Sequence, residues 1–117
     1  MLSNVTSLPS RLPEPLVELI AQRFRLLGEP TRIKLLDVLR AGPATVTELQ
    51  AATGASQQNV SKHLGMLVDA GLVRRAKDGN RANFSIADES LFDLCEQVCG
   101  GVRRQLRDLD VILHDAA

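Results

Sequence analysis

The chain has 117 residues, 44% of them hydrophobic, which suits one domain with a modest core and excludes a disordered chain. Its 14 basic residues balance 14 acidic ones, so a uniformly basic nucleic-acid binder is excluded but a locally basic face is not. The 2 cysteines are too few for a disulfide-stapled secreted scaffold, and 3 Phe without Trp or Tyr leave the core to Leu, Val, Ile and Ala, a composition that leans helical.

Residues 1–13 carry Ser, Asn, Thr and two prolines and read as a flexible N-terminal arm, with the folded domain expected over 14–117. The first residues lack the apolar run of a signal peptide, so the sequon Asn4-Val5-Thr6 is expected to be chance and the cytosol is the expected compartment. No stretch approaches the ~18 apolar residues of a membrane span.

Leu16, Leu19, Ile20, Phe24 and Leu27 recur at three- and four-residue steps and predict a first helix stopped by Gly28. Pro30 suits the first turn of a second helix, where a missing N–H costs nothing; Ile33, Leu35, Leu36 and Leu39 follow, and Gly42-Pro43 ends it. Thr47 and Gln50 form a capping-box pattern that opens a short third helix, closed by Gly54. Ser56 is expected to cap a fourth helix to about Ala70, with Val60, Leu64, Leu67 and Val68 as its buried stripe and Gly71 as its left-handed terminator.

Two strand-like runs, 72–76 and 82–87, flank Lys77-Asp78-Gly79-Asn80, a strong hairpin signal. Phe84 and Ile86 point to one face of the second run, Asn83 and Ser85 to the other. Asp88 is expected to cap a long last helix through about His114, roughly 40 Å in length. Its stripe of Leu91, Leu94, Cys95, Val98, Val102, Leu106, Leu109, Ile112 and Leu113, interrupted by Gly100-Gly101, is longer than a small domain can cover.

A capped helix, a short turn Gly54-Ala55-Ser56, a second helix and a hairpin make a winged helix-turn-helix, mostly α with a small β-hairpin. The second helix of that motif enters the DNA major groove with its N-terminal residues facing the bases. Here it opens on Gln57, Gln58 and Asn59, whose carboxamides present a donor and an acceptor side by side and can pair with adenine N6 and N7. Ser56, Ser61, Lys62 and His63 are expected to extend that exposed surface. Residues 57–81 hold five basic and two acidic side chains, so the neutral chain carries a local charge of +3. Lys77, Asn80 and Arg81 at the wing tip could reach phosphates or a minor groove. Amides at a helix start can also merely cap and solvate, and a histidine there more often packs locally than reads a base.

With these features in place the chain resembles the ArsR/SmtB group of bacterial winged-helix repressors over about residues 16–113. The resemblance is carried by Leu26-Leu27-Gly28-Glu29-Pro30-Thr31-Arg32, by Gln57-Gln58-Asn59-Val60-Ser61-Lys62-His63-Leu64, by Leu67 and Ala70-Gly71-Leu72-Val73, and by the wing Asp78-Gly79-Asn80-Arg81. It implies a homodimer formed through the first and last helices, bound to operator DNA and released by an effector. It also implies two metal sites whose ligands are missing here. The place of a cysteine pair reads Thr45-Val46-Thr47-Glu48-Leu49, and beside Asp88 the expected histidines are Ser90 and Gly101.

Cys95 and Cys99 remain as effector candidates, a thiol switch or a soft metal or metalloid site, against the alternative of plain packing. Two thiolates are too few for a tetrahedral zinc, and a disulfide needs Cβ atoms nearer than the ~5–6 Å of residues one helical turn apart. His114 near a helix C-terminus complements the dipole there. His63 and His114 lie far apart and no phosphate loop or nucleophile elbow appears, so no enzyme is expected. The rival readings are a winged-helix protein-interaction module and a repressor without a small effector.

Overall fold

The computed structural model describes residues 11–116, so residues 1–10 of the expected arm lie outside the described part; Arg11 to Pro13 are exposed and non-helical. The elements are α1 (Glu14–Leu27), α2 (Pro30–Leu39), β1 (Ala44–Thr45), α3 (Val46–Thr53), α4 (Gln57–Asp69), β2 (Val73–Asp78), β3 (Arg81–Ile86) and α5 (Leu91–Ala116). They form two compact units with the boundary after Ile86.

In the first unit, α2, α3 and α4 pack around Leu35, Leu36, Leu39, Leu49, Val60, Leu64 and Leu67, all fully or nearly fully buried. Each helix starts and stops where its sequence supplies a partner for the open backbone groups. Glu29 caps α2 through the N–H of Arg32, with Pro30 in the first turn. Gly54, at φ 76°, takes the left-handed conformation that ends α3. The α4 terminus is a Schellman arrangement: Leu72 N–H bonds the Leu67 carbonyl at 3.0 Å, Gly71 N–H bonds Val68 at 2.9 Å, and Gly71 sits at φ 78°.

The cap of α3 differs from the expected one. Thr45, not Thr47, is the N-cap: its hydroxyl accepts from Glu48 N–H at 3.2 Å while Glu48 Oε1 accepts from Thr45 N–H at 2.8 Å. Thr45 wins because it is held extended in β1, the backbone state an N-cap requires. β1 was not expected either. It turns the hairpin into a three-stranded antiparallel sheet of order β1-β3-β2, with Ala44 opposite Phe84 and Thr45 opposite Asn83. The central position of β3 explains why Asn83 and Ser85 are half-buried rather than open. β2 and β3 run closer to the tip than expected, meeting in a two-residue loop with Gly79 at φ 64°.

The second unit is the helix α5 of 26 residues, preceded by a turn. The Asp88 carboxylate accepts from the N–H and hydroxyl of Ser90 just before the helix, which begins at Leu91. Gly100 and Gly101 do not break it, and the helix passes through both. Its stripe from Val98 to Leu113 is exposed in the single chain, roughly half or more at Val98, Val102, Leu106, Leu109, Ile112 and Leu113. No residue of α1 is buried, and Leu19 and Phe24 are exposed.

Candidate nucleic-acid interface

The turn between α3 and α4 is stitched by Thr53, whose hydroxyl donates to the Leu49 carbonyl at 2.7 Å and accepts from Ala55 N–H at 3.3 Å. Ser56 then caps α4, its hydroxyl accepting from Asn59 N–H at 3.1 Å. These bonds fix where α4 begins. Val60, Leu64 and Leu67 hold one side of it in the core. The opposite side exposes Ser56, Gln57, Gln58, Asn59, Ser61 and Lys62 together, over its first two turns. An exposed row of amides beside a lysine has its hydrogen-bonding capacity free for an outside surface.

His63 breaks the expected pattern. It is only 7% exposed and does not belong to the outer face. The spacing carried that signal: position 63 lies three residues after Val60 and four before Leu67, on the stripe itself. Its partner is Arg32, likewise buried at 8% exposure, whose role the sequence reading missed. Arg32 Nη1 lies 2.9 Å from His63 Nδ1 and 3.4 Å from Met66 Sδ, Nη2 bonds the Arg25 carbonyl at 3.4 Å, and Nε bonds the Leu26 carbonyl. Arg32 too falls on its helix's stripe, three, four and seven residues before Leu35, Leu36 and Leu39.

A guanidinium has only donors, so Nδ1 of His63 must accept and the ring proton sits on Nε2. That nitrogen lies 3.8 Å from Glu29 Oε2. The Glu29 carboxyl is held below the ordinary glutamate value of 4.5, chiefly because it accepts the N–H of Arg32. Glu48 is held low for the same kind of reason, the N–H and hydroxyl of Thr45.

On the sheet, Val73 of β2 is buried and Arg74, Arg75 and Lys77 are exposed. Charge on this edge strand also guards it against pairing with another sheet. Lys77, Asn80 and Arg81 are exposed around the tip, and Arg81 lends part of the field that lowers Glu48. An open groove of about 310 Å³ separates α4 from the sheet, with Ser61 and Gly65 on one wall and Arg75 and Phe84 on the other.

Cys95 and Cys99 are exposed, free thiols one turn apart on α5. Among the described residues, no group of three or more His, Cys, Asp and Glu side chains comes together to hold a metal. Among the described residues, then, the two thiols are not joined by a third such ligand. Among the described residues, no helix is long and apolar enough to cross a membrane.

A capped helix-turn-helix with an amide face, followed by a basic β-wing, defines a winged helix-turn-helix protein. A family described as a helix-turn-helix domain matches residues 27–76. The HTH-type transcriptional regulator Rv0081 of Mycobacterium tuberculosis is 35% identical over 103 residues, 87% of this chain and 90% of that protein. Its crystal structure superposes with a TM-score of 0.76, covering 82% of this chain and 97% of that one. A probable mercury resistance operon repressor of Streptomyces lividans is 42% identical over 74 residues, and this chain spans 59% of its length. The antimony-specific repressor AntR has 30% identity and a TM-score of 0.72, covering 86% of this chain and 94% of that one. The chain belongs to the ArsR/SmtB family of winged helix-turn-helix transcriptional regulators, which are DNA-binding proteins and not enzymes.

Proposed function

We propose that this regulator is a homodimeric repressor that reads a pseudo-palindromic operator with α4 and steadies itself with the wing. Gln57, Gln58, Asn59 and Ser61 read base edges, Ser56 and Lys62 meet phosphate or a base edge, and Lys77, Asn80 and Arg81 dock the wing on the backbone. The single observation carrying this reading is the division of α4, with Val60, Leu64 and Leu67 buried on one side and an unbroken polar row exposed on the other. His63 is not in the contact set, because it is buried against Arg32.

The effector is a thiol-reactive oxidant or a soft metal or metalloid ion taken at Cys95 and Cys99. Support comes from the exposure of both thiols and from relatives described as mercury and antimony repressors. An ion held there needs a further ligand from outside the single chain, since two thiolates do not fill a coordination shell. Binding of a selected duplex at rising salt, with and without arsenite, mercury(II) or peroxide, tests both halves. Release by these agents that is lost in a Cys95→Ser/Cys99→Ser variant supports the switch. Equal release in that variant removes it, and absence of salt-sensitive duplex binding removes the operator reading.

A further inference from the structure

Burial of Val60, Leu64 and Leu67 sets which face of α4 turns outward, but only coarsely, because hydrophobic attraction has no direction. A bidentate base contact tolerates misplacement of only ~0.5 Å, so some directional restraint must fix the helix. Among the described residues, the hydrogen bonds that reach α4 side chains from another helix come from Arg32, to His63 and Met66. The same guanidinium bonds the carbonyls of Arg25 and Leu26 in the last turn of α1. The Arg25 carbonyl also accepts from Gly28 N–H at 3.3 Å, and both carbonyls lie at the negative end of the α1 dipole, an apt seat for a buried cation.

We infer that Arg32 and His63 are positioning residues for operator recognition: Arg32, clamped on the last-turn carbonyls of α1, fixes the fine rotational seat of α4 through Nδ1 of His63. The device needs an imidazole with its proton on Nε2, since Nδ1 must accept. It also needs arginine rather than lysine, because one ammonium nitrogen cannot bridge two backbone carbonyls and a ring nitrogen on different helices. It links α1, which exposes Val17, Leu19 and Phe24, to the proposed DNA-reading helix from buried positions. The inference rests on the base-reading role of α4 proposed above.

The test uses the full chain, a duplex selected by the wild-type protein from a random library, and a scrambled duplex of the same length. His63→Leu keeps the packing and leaves Arg32 its carbonyl partners, and Arg32→Lys keeps the charge. Both are expected to fold by circular dichroism and to lose about tenfold in the ratio of selected to scrambled affinity, the scale of one base contact. Scrambled-duplex affinity should stay within about twofold, since phosphate contacts carry it. His63→Asn, whose Oδ1 can accept from Arg32 where Nδ1 did, should recover the ratio to within about threefold. Arg32→Lys added to His63→Leu should cost little more, as the two act as a unit.

Folded variants that keep the wild-type ratio overturn the inference, as does a His63→Asn variant no better than His63→Leu. Should either variant fail to fold, the ¹⁵N shifts of the wild-type imidazole decide: a proton on Nδ1 overturns the inference and one on Nε2 upholds it. Failure of the wild-type chain to select any duplex sinks the base-reading role instead, a result distinct from the others.

Discussion

Replacing Gln58 by alanine removes a donor and an acceptor from the exposed side of α4 while leaving its cap and its buried stripe alone. Affinity for the selected duplex should fall by about 1–3 kcal/mol with little change on scrambled DNA, read by fluorescence anisotropy. Arg81→Ala should behave oppositely, weakening all duplexes alike and reducing the slope of log affinity against log salt by about 0.9. An unchanged slope would remove Arg81 from the phosphate contacts. Two carboxylates also contribute to the acid limb of stability. Glu29 and Glu48 have folded-state pKa values below their unfolded ones, because the ionised carboxylates accept backbone N–H bonds. Their contribution is complete above the ordinary glutamate value of 4.5 and is lost as pH falls through the lowered folded values. A Glu29→Gln/Glu48→Gln variant should therefore melt at a lower temperature than wild type at neutral pH, with the gap narrowing on acidification. A gap that stayed constant would contradict the assignment.

Helix by helix, what the sequence made legible was whatever a period or a cap could announce. The stripes of α4 and α5, the stops at Gly28, Gly54 and Gly71, and the cap at Ser56 all stand where the pattern placed them. β1 was not legible, because two residues carry no readable alternation and its pairing with β3 is set by tertiary structure. The start of α3 was ambiguous for a sharper reason: Thr45/Glu48 and Thr47/Gln50 both fit a capping box, and only the strand before the helix decides between them. His63 and Arg32 were misjudged or passed over because polarity was weighed above position, although both fall on buried stripes. Two substitutions separate these local determinants. Thr45→Ala removes the cap of α3 and should cost about 1 kcal/mol of unfolding free energy in denaturant melts. Gly65→Ala should gain about 0.5–1 kcal/mol, since a Cβ there meets nothing within 4 Å and a helix-interior glycine is costly. A destabilised Gly65→Ala variant would mean that the glycine serves packing not visible in the single chain.

Exposed apolar side chains gather on α1 and on α5. Leu19 and Phe24 of α1 are exposed, and so is the row from Val98 to Leu113 on α5. Each such side chain brings about 1.5–3 kcal/mol when fully buried, so pairing these faces with a second copy is the outcome their number favours. Twofold symmetry also explains how a small reading surface becomes selective. On the proposed base-reading role one α4 would reach few bases, whereas two held one DNA turn apart would bind as a unit, with a gain of about 10²–10⁴ over a single half-site. Leu106→Glu places a charge on the exposed stripe of α5. The variant is expected to fold with an unchanged far-ultraviolet spectrum, to sediment as a monomer, and to lose selected-duplex affinity by about 10²-fold or more. A Leu106→Glu chain that still sediments as a dimer and holds its operator would show that the α5 stripe faces something other than a second copy.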